Sequence, residues 1–374
     1  MSETILTMNN YELDDAGTER EEVNGDEILE PFDPTKIRVA TQNTNIDLLL
    51  KRIEHNELDL SPAFQREADI WSSSAQSRLI ESILIRIPIP AFYFDATDED
   101  HWLVVDGLQR LTALKKFVLD KSLKLSGLEF LTNYVGYGYD DLPSRYQRRI
   151  METQVIVYAI EVGTPPEVKF NIFKRINTGG LPLSPQEIRH ALNQGPITNF
   201  LQELARDPIF LKATTRSVNT KRMTDRELVL RFLAFTITPY TEYPGDYDNF
   251  LNMAMADLNK MSPKYKELKR NFLRTMKLAI DILGADAFRK RYYLEDARYP
   301  VNKTLFETWA FHLSKLSDDQ AKILIDRRDA LMMRFINQMN EKDFNEAVSQ
   351  GTGDRKKLRV RFDAIGKIIA ETLK

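Results

Sequence analysis

The chain of 374 residues has no cysteine and only four histidines. Lack of cysteine excludes a disulfide framework, thiolate zinc, iron–sulfur ligation and a cysteine nucleophile. His55, His101, His190 and His312 are scattered, and no two share metal-ligand spacing. Histidine-based metal or triad chemistry is therefore not expected. Long apolar runs are missing too. The longest, residues 79–94, is broken by Glu81, Arg86, Pro88 and Pro90, whereas a membrane span needs about 20 apolar residues. The N-terminus is acidic, with no basic stretch leading into an apolar one, so no signal peptide is read there. Together these absences predict a cytoplasmic protein with no membrane contact. No Gly-x4-Gly-Lys-Ser/Thr loop and no Gly-x-Ser-x-Gly elbow occur, which removes P-loop and serine-hydrolase chemistry.

What remains is ordinary globular composition, 43% hydrophobic and 29% charged. The length predicts two folded units at about 150 residues each. The net charge of −3 conceals an asymmetry. Residues 1–30 hold ten acids and one base, Arg20, which leaves 51 bases against 45 acids in the remainder. This leader has little apolar content and no period, and reads as a disordered acidic segment, residues 1–36. It acts as a solubilising tail, or as a tail competing for a polyanion site on a mildly cationic body.

Periodicity and caps predict a helix over 45–56, a short strand at Leu58–Leu60, and a helix from a Ser74 cap to about Ile85. An extended segment, 91–94, follows Pro88 and Pro90. A buried strand, 102–105, leads into a helix over 108–119. A strand over 154–160 precedes a helix from Pro165-Pro166 to Ile176. Ser184-Pro-Gln-Glu187 opens the next helix with a capping-box pattern. Beyond that, helical period dominates, as in 226–235, 265–283 and 322–339. The expected architecture is an α+β core over 37–190 and an all-helical domain over 191–374.

One segment carries chemistry: Trp102-Leu-Val-Val-Asp106-Gly107-Leu108-Gln109-Arg110-Leu-Thr112. It reads as a strand, a sharp turn and a helix, and free amides at a helix start attract anions. Gly107 permits close backbone approach. Asp106 can hold a metal-bound water or cap the helix. Gln109 and Arg110 leave the first turn, where amide and guanidinium groups grip phosphate. A capped helix with a solvated arginine accounts for the same residues. Two further stretches share this character. Phe64-Gln65-Arg66…Trp71 sets Gln65 and Arg66 beside a tryptophan, which suits phosphate contact with base stacking or a loop pinned by a buried ring. Phe170…Arg175-Ile176-Asn177-Thr178-Gly-Gly180 offers a nest of amides or an ordinary glycine C-cap. In the C-terminal half, Lys269-Arg270 and Arg289-Lys290-Arg291 stand near tyrosines. They read as DNA-binding candidates, or as solvated helix faces matched by Glu267 and Glu295.

Taken in order, Gln65-Arg66…Trp71, Ile87-Pro-Ile-Pro90, Val105-Asp-Gly-Leu-Gln-Arg-Leu-Thr112 and Ile176-Asn-Thr-Gly-Gly…Leu183-Ser184 resemble the N-terminal domain family of GmrSD-type restriction endonucleases. The family is marked by Asp-Gly-Gln-Gln-Arg, and the resemblance covers about residues 40–240, including the segment Arg222-Met-Thr-Asp225 to Phe235. It implies a core like that of ParB and sulfiredoxin, nucleotide binding with hydrolysis, and defence against foreign DNA. Carried over, Asp106, Gln109 and Arg110 would be catalytic, with Asp106 holding Mg2+. Gln65, Arg66, Gly107, Thr112, Arg175, Asn177 and Thr178 would bind an NTP of unspecified base. DNA and a nuclease partner chain are the implied partners, with the chain as sensor or regulatory subunit. A catalytically weak bridging module and a DNA nickase are the competing readings. Leu108 replaces the first glutamine of the motif: either it impairs hydrolysis, or it packs inward and nothing is lost. A His-dependent nuclease is not found, since His312 is the only histidine beyond residue 190. Glu167-Val-Lys169 is similar to a nuclease Glu-x-Lys, with no partner aspartate evident in the sequence.

Overall fold

A computed structural model describes residues 18–19, 36–60, 71–176 and 183–374. The chain divides into two compact units. One is Phe32–Leu183; the other is Ser184–Lys374 together with Met1–Pro31, of which only Thr18 and Glu19 are described. The first is mixed α/β and the second all helical, as the sequence predicts.

The α/β unit is built on five strands: β1 (Val39–Asn45), β2 (Leu58–Asp59), β3 (Phe92–Asp95), β4 (Trp102–Asp106) and β5 (Gln154–Ile160). Their order is β1-β5-β3-β4-β2. The β1–β5 and β3–β4 pairs are antiparallel, and β3–β5 and β2–β4 are parallel. Alternation assigns the faces. Phe92, Phe94, Trp102, Val104, Val155, Val157 and Ala159 join one core, while Tyr93 and Tyr158 project from the other side and stack at 4.8 Å.

Helices α1 (Ile46–Glu54), α2 (Ser73–Leu84), α3 (Leu108–Leu114) and α4 (Ser144–Glu152) supply the rest of that core. Asn45 caps α1, its side chain accepting from the Leu48 amide at 2.9 Å. Ser72 caps α2, two residues ahead of the predicted Ser74, with the Ala75 amide at 3.2 Å. The helix predicted over 108–119 is helical throughout, but changes at Lys115–Leu119 to a wider π-helical turn. The fifth helix, α5 (Pro166–Ile176), buries Val168, Phe170 and Phe173.

The helical unit runs through α6 (Pro185–Leu192), α7 (Pro196–Ala205), α8 (Pro208–Ala213), α9 (Thr224–Ile237), α10 (Tyr247–Lys260), α11 (Tyr265–Leu283), α12 (Lys303–Ser314), α13 (Asp318–Asp326), α14 (Arg328–Met339), α15 (Lys342–Ser349) and α16 (Arg355–Leu373). The capping box at Ser184 is formed reciprocally with Glu187. The single helix predicted over 322–339 is two helices, broken at Arg327, whose guanidinium bonds the Thr372 carbonyl at 2.8 Å. At the centre, α9 is buried over nearly its whole length, so its charges lie inside. Arg231 bonds Glu227 at 2.7 Å and Glu307 at 3.4 Å. Arg361 bonds Glu307 at 2.8 Å, and Lys303 bonds Glu227 at 3.3 Å. Buried charges persist only when paired in this way. No described helix is long and apolar enough to cross a membrane.

Candidate functional site

Strand β4 ends at Asp106, opposite Tyr93 across a register shift in the β3–β4 ladder. Gly107 follows with φ +104°, in left-handed backbone. A Cβ there would lie 2.4 Å from the Phe92 ring and 3.3 Å from Arg110 Nη2. Glycine is thus required twice, by conformation and by space. Among the described residues no side chain caps the start of α3.

The first turn of α3 then divides its residues between two environments. Leu108 is buried in the α/β core. The structure therefore meets the inward-packing alternative for the position where the family motif has glutamine. Gln109 is half-buried, and its Oε1 accepts the Trp71 amide at 3.3 Å. The Trp71 carbonyl in turn accepts Gln76 Nε2 of α2 at 2.9 Å. Two glutamines on two helices thus fix the backbone at Trp71.

Arg110 is turned inward. It is 8% exposed. Its Nη2 donates to Asp106 Oδ2 at 2.7 Å and to the Ala91 carbonyl at 3.2 Å. Nη1 donates to the Pro90 carbonyl and, at 3.2 Å, to that of Ala91. The guanidinium also lies 4.6 Å from the centre of the Phe92 ring. Burial pulls its pKa down, and Asp106 pulls it partly back up. The sequence reading of Arg110 as a group reaching out to phosphate differs from this placement. The cause is the Ile87-Pro-Ile-Pro90 segment: proline has no amide and keeps its chain extended, so its carbonyls face an arginine rather than a neighbouring strand.

Asp106 is the accessible member of the pair, with 27% of its side chain exposed against 9% for Arg110. Its Oδ1 has no protein partner among the described residues. Tyr93 stands beside it, and the phenol is pushed up by burial, by Tyr158 and by the Asp106 charge. Thr112 is buried, with an Oγ1 that has no hydrogen-bond partner among the described residues. Tyr93 was missed in the sequence because the run Ala91-Phe-Tyr-Phe94 looks uniformly apolar. Only its period of two separates Tyr93 and Asp95 from the core-facing phenylalanines.

The remaining predicted residues fall in several places. Gln65, Arg66, Asn177 and Thr178 lie outside the described residues. Arg175 is exposed in the last turn of α5 and has no ion pair among them. No group of three His, Asp or Glu among the described residues could hold a metal ion. Lys169 does find an aspartate: its Nζ lies 3.1 Å from Asp95 Oδ2 and 2.8 Å from Thr97 Oγ1. Glu167, however, is exposed on the same helix two residues away, and side chains at i and i+2 do not share a helix face. The three groups of a Glu-x-Lys nuclease do not converge.

In the helical unit, Arg289 is 1% exposed. It bonds Thr214 O, Thr215 Oγ1 and Ser217 Oγ at 2.8–3.1 Å. Lys290 is equally buried and pairs with Glu19 and Ser349. Glu19 also accepts Asn302 Nδ2 at 3.1 Å, while its amide bonds Val301 O at 3.0 Å. Arg291 is paired with Asp286 and the carbonyls of Tyr293 and Leu294. Lys269 is paired with Glu203 at the surface, and Arg270 is exposed. Of these five DNA-binding candidates the fold thus brings only Lys269 and Arg270 close together at the surface.

Residues 46–193 match the family described as the GmrSD restriction endonuclease N-terminal domain. The segment belongs to that family. The GmrSD domain begins with the first residue of α1 and ends just after α6, so it holds β4, the Asp106–Gly107 turn and α3. That description ties the segment to restriction systems. No curated protein and no solved structure matches the chain.

Proposed function

We propose that the chain is a nucleotide-binding, NTP-hydrolysing sensor or regulatory protein of a restriction system, and that its triphosphate site is the Asp106–Gly107 turn. The observation that carries this reading is the uncapped start of α3 directly behind a glycine held at φ +104°. Such a turn leaves the first amides of the helix without a side-chain cap, while the Phe92 ring and the Arg110 guanidinium pack against Gly107 itself. The reading takes the GmrSD domain as a ParB-like core, in which amides of the turn hold phosphate oxygens. Gln109 orients a phosphate oxygen or the attacking water. Arg110 is a positioning residue: it holds the Asp106 carboxylate and the 90–91 backbone in place. Asp106 Oδ1 would take a water of Mg2+, an ion that needs only one or two carboxylates when phosphates supply the rest. Bound there, Mg2+ would neutralise phosphate charge.

DNA and a nuclease chain are the partners this role requires, with any cutting done by the second chain. The test is phosphate release from an NTP by the native chain and by Asp106→Ala. Turnover that Asp106→Ala abolishes supports the reading; turnover that survives it refutes the assignment of the site. A second reading, a bridging module with weak turnover, is favoured by one observation. Among the described residues no group of three carboxylates or histidines includes Asp106, and its Oδ2 is already held by Arg110. That module binds nucleotide and releases phosphate only weakly.

A further inference from the structure

Helix α4 has three arginines, Arg145, Arg148 and Arg149, within nine residues. Among the described residues none of them has a carboxylate partner. The acids of the preceding loop are already used: Asp140 pairs with Lys121 at 2.7 Å, Asp141 with Lys124 at 2.9 Å, and Glu129 with Arg78 at 3.4 Å. Arg145 and Arg148 are exposed and one helical turn apart, on one face. Arg149 is half-buried and donates to the Leu84 carbonyl, which closes the end of α2.

Aromatic rings continue this surface. Tyr146 has the Arg145 guanidinium 5.0 Å and the Arg149 guanidinium 5.4 Å from its ring centre. Its edge meets Tyr134 at 5.4 Å, and Tyr134 meets Tyr137 at 5.4 Å. The same loop leaves Tyr137 39% and Phe130 70% exposed. It is fixed from beneath. The buried carboxylate of Glu81 accepts the amides of Glu129, Phe130 and Leu131 at 2.7–3.1 Å. Ordering cost is therefore met in the fold rather than at binding.

We propose that α4 and the loop over 128–137 bind a single-stranded stretch of nucleic acid, with Arg145 and Arg148 on phosphates and Tyr137 stacked on an unpaired base. Uncompensated arginine charge beside outward-facing rings matches a strand that is anionic along its backbone and aromatic along its edge. An apolar protein partner would leave the guanidinium groups without counter-charge. The sequence did not show this surface because six of the nine α4 residues are polar and only Tyr146, Ile150 and Met151 mark its inner face. No residue of the Asp106–Gly107 turn takes part, so this proposal and the nucleotide site fail separately.

The test is fluorescence anisotropy of the full chain with a labelled single-stranded oligonucleotide and with its duplex, over a salt series. Replacing both arginines (Arg145→Gln with Arg148→Gln) should weaken single-strand binding and lower the slope of log affinity against log salt by about 1.4, at about 0.7 per phosphate. The Arg145→Lys, Arg148→Lys pair should keep the slope. Tyr137→Ala should weaken binding about five- to 100-fold, with the slope unchanged and the duplex unaffected. All these positions are surface ones, so thermal midpoints should match the native chain. Absence of oligonucleotide binding by the native chain overturns the proposal. So does a glutamine pair with native affinity and slope, which would hand the surface to a protein partner. Equal losses on duplex and single strand, with Tyr137→Ala silent, would overturn the single-strand assignment.

Discussion

Arg110 separates two accounts of the Asp106–Gly107 turn. If it grips phosphate directly, its replacement abolishes nucleotide binding and leaves the fold intact. The structure instead makes it a clamp between Asp106 and the carbonyls of Pro90 and Ala91. Arg110→Ala would then strip a carboxylate and two carbonyls of their donor at once. Deleting one partner of a buried ion pair costs about 3–5 kcal/mol. Asp106 is 27% exposed, so water recovers part of the loss and the lower figure, about 3 kcal/mol, applies. For a domain of this size, about 2–4 °C is lost per kcal/mol, so the melting midpoint of the α/β unit should fall by about 6–12 °C. Arg110→Lys keeps a charge but cannot span three acceptors, and should lie between native and Arg110→Ala. The assay is circular-dichroism melting alongside NTP titration on the same preparations. An Arg110→Ala chain that melts with the native protein yet binds no nucleotide would refute the clamp and restore direct phosphate contact.

Other substitutions test neighbouring parts of the account. Leu108→Gln restores the family residue but puts an amide into the apolar core; it should cost about 1–3 kcal/mol by denaturant titration and give no gain in phosphate release, and faster turnover would contradict the inward packing. Glu81→Gln should lose about 1.5–3 kcal/mol at neutral pH, as for a hydrogen bond to a charged group. Burial pushes the Glu81 carboxyl up, but the amides of residues 129–131 outweigh it and hold it below its ordinary 4.5. Its contribution is therefore complete above pH 4.5 and lost as pH falls through the lower folded value, so native and variant chains should converge in acid. Glu307→Ala should cost about 3–5 kcal/mol, because it leaves Arg231 and Arg361 facing each other without their shared carboxylate. A melt within a degree of native would show that the network is not needed.

Elements with an apolar period or a cap were legible in the sequence. The α1 and α2 cores, the β5 strand, the Ser184 capping box and α11 all follow from local pattern. Two elements were not. Strand β1, Val-Ala-Thr-Gln-Asn-Thr-Asn, is an edge strand with mostly exposed residues, so no alternation marks it. Helix α4 fully buries only Ile150, with Tyr146 and Met151 half-buried against the same core, and its other six residues are polar, so its period is easily overlooked. At the site, Gly107 was readable because a strand–turn–helix junction demands it, whereas Leu108 stood open between impaired hydrolysis and inward packing, and its burial in the core decides for packing. The inward turn of Arg110 was not readable, since it depends on carbonyls 19 and 20 residues away. Arg289 and Lys290 show the same limit: a run of basic residues looks like surface until long-range partners, Thr214 and Glu19, draw it inside.

The central claim is that the Asp106–Gly107 turn holds a triphosphate. The most direct measurement is the melting midpoint of the full chain against each of the four NTPs, with and without Mg2+. A ligand that binds only the folded chain adds about 2.7 kcal/mol at 100 times its Kd. At least one NTP should therefore raise the midpoint by several degrees, and Asp106→Ala should diminish the Mg2+-dependent part of that rise. A midpoint unmoved by all four nucleotides in both conditions would contradict the account.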